Sequence, residues 1–207
     1  MEYEFYLEQK YLQERQVEAR ILTAAQADTM DKQQTVLAEM ERYRAQLHQL
    51  VDDRLDAFIL RVTCGDLSEY IQDETVRAIP LVSAPTRCKG TKPVAVVLPD
   101  GSMAETATWK KVAAAILRNC DTDPRCHEQL MEMRGRVNGN FRRLLAKDPN
   151  GMDAPLKITE GLYLESKFDT QALLDNLTQK ILRRVGYNCS MTAVLYRSPQ
   201  RKMAGFS

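Results

Sequence analysis

The hydrophobic and polar positions in the first third of the chain follow a helical pattern. From Met40 onward, apolar side chains recur at steps of three and four residues, which places them on one face of a helix. This stripe consists of Met40, Tyr43, Leu47, Val51, Leu55, Phe58 and Val62. No glycine precedes Gly65 and no proline precedes Pro80, and both residue types destabilise helix interiors. The pattern predicts a helical arm over residues 1–64.

The length of this arm leaves two arrangements open. A single helix of some 60 residues would extend roughly 90 Å, too far to pack along its whole length on a domain formed by the rest of the chain. The arm either pairs with another chain as a coiled coil or folds back near Thr23–Asp31 as an antiparallel helical hairpin. We favour pairing and predict a homodimer. Self-association is assigned to Met40, Tyr43, Leu47, Val51, Leu55 and Phe58.

Residues 65–92 have the composition of a connector. Gly65 follows the last apolar residue of the arm, where a helix commonly ends. The later part of the segment is rich in proline and basic residues, as surface loops are. We therefore predict a linker over 65–92, preceding a domain over 93–198.

Strand and helix patterns alternate through residues 93–198. Val94 to Leu98 is an apolar run of strand type, and Pro99-Asp100-Gly101 has the composition of a hairpin turn. Thr108 is a favourable N-cap for the helix that follows. The apolar face of this helix consists of Trp109, Val112, Ala113, Ile116 and Leu117.

The rest of the domain continues this alternation. Its predicted elements are a helix from Asp123-Pro124 to about residue 134, strands over 141–145 and 161–168, a helix from Asp169 to Gly186, and a strand over 191–196. The order predicts an α+β fold, in which a long coiled-coil-like helical arm precedes a small mixed α/β domain with helices packed on one face of a sheet. Residues 199–207 are predicted to be a flexible basic tail.

Three features of this half are similar to those of known proteins. They are Asp100-Gly101 in a hairpin, Thr108-Trp109 at a helix start, and the strand Gly161 to Glu165 leading into a helix. With them the chain resembles small α/β domains associated with restriction and DNA-modification systems, and uncharacterised phage or mobile-element proteins. The resemblance implies a setting linked to DNA or phage and an accessory role, and it carries over no catalytic residue.

Composition narrows the class of protein. The 207 residues are 44% hydrophobic and 28% charged, as in ordinary globular proteins. No apolar run is long enough to span a membrane, and the acidic N-terminus differs from a signal peptide. The five cysteines lack the spacing of a disulfide framework. We expect a cytoplasmic protein that does not bind membranes.

The net charge of +1 conceals an asymmetry along the chain. Residues 1–80 carry 9 Lys and Arg against 16 Asp and Glu, a balance of −7, and residues 81–207 carry a balance of +8. An acidic arm on a basic domain directs the domain toward a polyanion, or brings arm and domain together within or between chains.

The sequence contains no recognisable catalytic or metal-binding motif. His127 adjoins Cys126, but neighbouring side chains on a helix point about 100° apart. The spacing of Cys120, Cys126 and His127 fits no usual zinc site, and the glycines form no phosphate-binding motif. Glu160 and Glu165 are expected to be solvated strand residues. We therefore expect a non-enzymatic protein without a cofactor or metal.

The candidate functional residues are basic. Arginine, lysine and asparagine make the phosphate and base-edge contacts of nucleic-acid-binding proteins. One group surrounds a glycine-bearing loop in which Phe141 adds a stacking candidate, and a second lies in the first turn of the Trp109 helix, where positive charge is unfavourable to the helix dipole. These candidates are Arg134, Arg136, Asn138, Arg142 and Arg143 in the loop, and Lys110 and Lys111 in the helix.

Two functions follow from these patterns. We favour a non-enzymatic regulatory protein that self-associates through its arm and binds DNA or RNA through the basic domain. The alternative is a protein-binding inhibitor or adaptor of a phage or mobile element, such as an anti-defence protein, whose acidic arm is the interaction surface.

Overall fold

The computed structural model describes residues 11–12, 14–20, 30–71, 73–139 and 142–197. The predictions for residues 1–10, for Phe141, for the tail over 199–207 and for the part of the break near Thr23–Asp31 that precedes Met30 lie outside these residues. The chain forms two compact units, Met1–Asp56 and Ala57–Ser207.

Besides the helical residues 14–20, the described residues form five α-helices and seven strands. The helices are α1 (Met30–Thr63), α2 (Ala84–Arg87), α3 (Trp109–Thr122), α4 (Pro124–Met133) and α5 (Thr170–Asp175), the last continuing as a π-helix over Asn176–Leu182. The strands are β1 (Val76–Pro80), β2 (Lys92–Val97), β3 (Met103–Glu105), β4 (Leu145–Ala146), β5 (Pro155–Thr159), β6 (Leu162–Glu165) and β7 (Ala193–Arg197). The predicted α+β class, with a long helix preceding a small sheet domain, is confirmed.

In the first unit, the arm folds back on itself. Residues 14–20 are helical, and Glu14 Oε1 lies 3.4 Å from His48 Nε2 on α1. Val17 is buried and lines one groove with Met40 and Leu47. The arm is therefore a helical hairpin, the arrangement that the sequence analysis did not favour, because Val17 covers part of the stripe from within the same chain.

The stripe assigned to self-association is only partly covered. Met40, Leu47 and Val51 are half-buried. Tyr43, Leu55 and Phe58 are exposed, although the Phe58 ring lies 5.9 Å from the Arg61 guanidinium carbon.

The second unit is built on a four-stranded antiparallel sheet. Its strand order is β1-β7-β2-β3, so the last described strand lies between the first two described strands. The predicted turn joins β2 to β3, where Leu98 accepts a hydrogen bond of 2.9 Å from the Gly101 N–H. Gly101 has a φ of +80°, a conformation that favours glycine.

A smaller antiparallel sheet contains β4, β6 and β5 in that order. The sequence analysis missed β5 and placed a strand over 141–145, of which only Leu145 belongs to β4. Upstream of it, Asn138 and Arg143 form an isolated bridge.

Helix α3 packs on one face of the larger sheet, and α5 contacts α3. Ile79, Val96 and Val194 of the sheet belong to the main core together with Ile116 and Leu174 of these helices. The opposite face is also covered. There, Leu60 and Leu67 pack against Val97 and Ala193, and Tyr70 and Ile71 pack against Val76, Ala95 and Leu195.

The predicted linker over 65–92 is wrong. This segment contains β1 and α2, and Leu81, Ala84 and Cys88 are fully buried. The Leu81 N–H donates to the Thr192 carbonyl at 2.8 Å. Its prolines end a strand and begin a helix, where a missing N–H costs little, and the boundary between units lies at residues 56 and 57.

The predicted Thr108 cap is confirmed, and Asp123 and Asp169 cap the helices that were predicted to start there. Thr108 Oγ1 accepts from the Lys111 N–H at 3.3 Å, Asp123 Oδ1 from the Arg125 N–H at 2.8 Å, and Asp169 Oδ1 from the Ala172 N–H at 2.8 Å.

In the described part of the chain, no helix is long and apolar enough to cross a membrane.

Candidate nucleic-acid interface

The described parts of the predicted arginine-bearing loop, residues 135–139 and 142–145, pair with each other and are here called the basic hairpin. Its two sides are joined by hydrogen bonds from the Gly135 N–H to the Leu145 carbonyl at 2.8 Å and from the Leu144 N–H to the Val137 carbonyl at 2.8 Å. Val137 and Leu144 are buried in the main core. Side chains alternate between the faces of such a hairpin, so Arg136, Asn138 and Arg143 are exposed.

Two of the predicted contacts are occupied by structural bonds. Arg134 is half-buried, and its guanidinium donates to the Met131 carbonyl and the Gly161 carbonyl, each at 2.9 Å. Arg142 pairs with Asp153 at 2.8 Å. Arg136, Asn138 and Arg143 have no side-chain hydrogen bond or ion pair within the described residues, so they are the better candidates.

Replacing Arg134 with methionine is expected to lower the free energy of unfolding by about 1–3 kcal/mol, since it removes donors from two carbonyls. The matched control is Arg136→Met, for which a change within about 0.5 kcal/mol is expected, because this side chain is exposed. Urea denaturation measures both values. Equal losses would show that the Arg134 bonds contribute nothing specific.

A second group of cations surrounds the start of α3. The Trp109 indole Nε1–H donates to the Thr91 carbonyl at 3.0 Å, and this bond holds the 89–92 segment beside the first turn of the helix. The side chains that flank the contact are called the lysine platform. They are Lys89, Lys92, Lys110 and Lys111.

The lysine platform has no neutralising partner in the described part of the chain. All four side chains are exposed, and no ion pair or side-chain hydrogen bond involves them. Lys89 and Lys92 were missed as site residues because the sequence analysis placed them in the linker. The signal that was available is Trp109, since a buried indole usually requires an acceptor for its N–H.

The structure does not join the two basic groups. Among the described residues, no hydrogen bond or ion pair connects the basic hairpin with the lysine platform. Each group is therefore a separate candidate contact.

Glu165 is buried, although the sequence analysis expected a solvated residue. Only 1% of it is exposed, and its carboxylate accepts hydrogen bonds from three backbone N–H groups. The donors are Asp153 at 2.7 Å, Ala154 at 3.0 Å and Lys167 at 2.8 Å. Glu160 is exposed as expected and pairs with Lys157 at 2.9 Å. Glu165 is thus a structural acceptor that holds the segment before β5.

The cysteines of α3 and α4 and the histidine of α4 do not form a nucleophile activated for catalysis. His127 Nδ1 lies 2.9 Å from Asp121 Oδ1, and Cys126 Sγ donates to the Val185 carbonyl at 3.5 Å. Burial and the nearby Cys126 raise the pKa of the Cys120 thiol, which disfavours the reactive thiolate. Within the described residues, no group of three or more potential metal ligands is close enough to hold an ion.

Comparison of the chain with protein-family models, curated proteins and solved structures found no match.

Proposed function

We propose that the second unit binds the phosphate backbone of a nucleic acid through the lysine platform. The observation that carries this proposal is the uncompensated positive charge around the start of α3. Lys110 and Lys111 lie in the first turn of that helix, and the Trp109–Thr91 bond holds the segment with Lys89 and Lys92 beside it.

This arrangement is electrostatically unfavourable without an anion. The backbone N–H groups at a helix N-terminus carry partial positive charge, so they favour anions and disfavour cations. Four neighbouring lysines add like charge at the same place. A phosphate group removes both problems, because it accepts hydrogen bonds from lysine and is stabilised by the helix dipole.

The basic hairpin supplies a second contact in this proposal. Arg136 and Arg143 present guanidinium groups suited to phosphate, and Asn138 lies between them with an amide suited to base edges. The platform contacts the backbone irrespective of sequence, and any base preference comes from the hairpin. In this proposal the residues of the platform and of the hairpin bind the nucleic acid, and none of them takes part in catalysis.

Replacing Lys92 and Lys110 with glutamine is expected to weaken binding to all nucleic acids tested. The logarithm of affinity falls linearly with the logarithm of salt concentration, and the slope of this line should become shallower by about 2. Each lysine that neutralises a phosphate releases about one counterion. Fluorescence anisotropy with labelled duplex DNA, single-stranded DNA and RNA measures affinity and slope.

The matched control is Lys157→Gln with Lys180→Gln, which removes the same charge outside the platform. This variant is expected to retain the salt dependence of the wild type. An identical slope in the wild type and the platform variant would contradict the site. Absence of binding to all three polymers at low salt would contradict the function and favour a protein partner.

A further inference from the structure

The helical hairpin of the first unit leaves a groove between its two helices. The hairpin groove has a volume of about 560 Å³. Its lining comes from both helices and consists of Gln16, Val17, Arg20, Glu39, Met40, Arg42, Tyr43, Gln46 and Leu47. Along α1 the lining covers residues 39–47, a rise of roughly 12 Å or about two helical turns. The groove is therefore about two helical turns long.

The described side chains of the first unit form no closed core. Of the side chains described in it, only Val17 and Asp56 are buried. Large apolar side chains on both helices are exposed, namely Tyr11 at 55%, Leu12 at 48%, Tyr43 at 61% and Leu50 at 55%. Helices gain most of their stability by packing an apolar face, and two helices alone cover only part of their faces. Another pair of helices packed on the hairpin would cover the remaining apolar surface of both helices.

We propose that the hairpin groove receives the hairpin of a second copy of this chain, forming a four-helix bundle. The charges at the groove favour this occupant. Arg20 and Arg42 are cationic, Glu39 is anionic, and none of the three forms an ion pair within the described residues. A two-fold axis brings the same surface of both copies together, so the cations of one copy can meet the carboxylate of the other.

Occupants with charge of a single sign fit this surface less well. A nucleic acid would be repelled by Glu39 and the other acidic residues of the arm. A strongly acidic peptide would pair with the groove arginines alone, and a strongly basic peptide with Glu39 alone. The apolar floor formed by Val17, Met40 and Leu47 requires apolar side chains from the occupant. Tyr43 and Leu50 of a second copy supply them. The assembly goes beyond nucleic-acid binding and does not depend on it.

Sedimentation equilibrium of the full chain at micromolar concentrations tests the proposal. We expect the wild type to sediment at twice the chain mass of 23.6 kDa. Leu47→Glu places a charge in the groove and should give a species of half the wild-type mass. Gln49→Glu adds the same charge to the same helix outside the groove and should leave the dimer intact. A monomeric wild type, a larger assembly, or a Leu47→Glu dimer would overturn the proposal.

Charge exchange on the exposed groove residues avoids a variant that fails to fold. Glu39→Arg makes the groove charges wholly positive, and Arg20→Glu with Arg42→Glu makes them wholly negative. Each variant alone should dimerise at least about tenfold more weakly than the wild type, because like charges then oppose each other. An equimolar mixture should recover the dimer mass. Undiminished dimerisation of both variants, or no recovery on mixing, would contradict the groove as the interface.

Discussion

Glu165→Gln is expected to lower the free energy of unfolding by about 2–4 kcal/mol, one of the largest effects of any single substitution in this chain. The wild-type carboxylate accepts from the N–H groups of Asp153, Ala154 and Lys167. Glutamine has the same shape but only one acceptor oxygen, and its amide NH₂ would face a backbone donor. At least one of these part-buried N–H groups therefore loses its acceptor, and charge-assisted bonds become neutral ones.

The control for this substitution is Glu160→Gln, the same chemical change five positions earlier. Glu160 is 92% exposed, so the loss of its ion pair should cost at most about 1 kcal/mol. Urea denaturation at neutral pH gives both values. Similar losses in the two variants would mean that the backbone bonds of Glu165 contribute little to stability.

Trp109→Ala is expected to lower the free energy of unfolding by about 3–5 kcal/mol. The indole is buried in the main core, and its removal leaves a cavity at the start of α3. The substitution also deprives the Thr91 carbonyl of its donor. The helix start and the 89–92 segment therefore lose their connection together.

The control that separates these two contributions is Trp109→Phe. Phenylalanine retains an aromatic ring in the core and removes only the N–H donor, so we expect a loss of about 1 kcal/mol. Thermal unfolding followed by circular dichroism suits both variants, because the chain has only one tryptophan and the variants lack its fluorescence. A loss below about 1 kcal/mol for Trp109→Ala would contradict the anchoring role.

The features predicted correctly are those determined by neighbouring residues. Thr108, Asp123 and Asp169 cap their helices through bonds that span two or three positions, and the Pro99-Asp100-Gly101 turn depends on its own residues. A short sequence window contains all of the chemistry that determines such features. The α+β class then follows from the order of the elements.

The features missed depend on contacts between distant residues. β1 forms a strand because it pairs with β7, more than a hundred positions away. Its single proline, Pro80, is locally typical of a linker. Arg134 was predicted to be a surface cation, but its guanidinium donates to the carbonyl of Gly161, which lies 27 positions later in the chain. The same limit concealed Lys89 and Lys92, which became site residues only through the contact of Trp109 with Thr91.

The central position of β7 has a consequence for synthesis of the protein. β1 and β2 both pair with β7, and the nearby bond from Thr63 to the Ser190 carbonyl spans 127 positions. The larger sheet therefore cannot close until β7 has emerged from the ribosome. Until then, β1 and β2 present unpaired edges of the kind that promote aggregation. This topology delays cooperative folding until β7 has been synthesised, and chaperones that shield exposed strands are useful to the nascent protein during that delay.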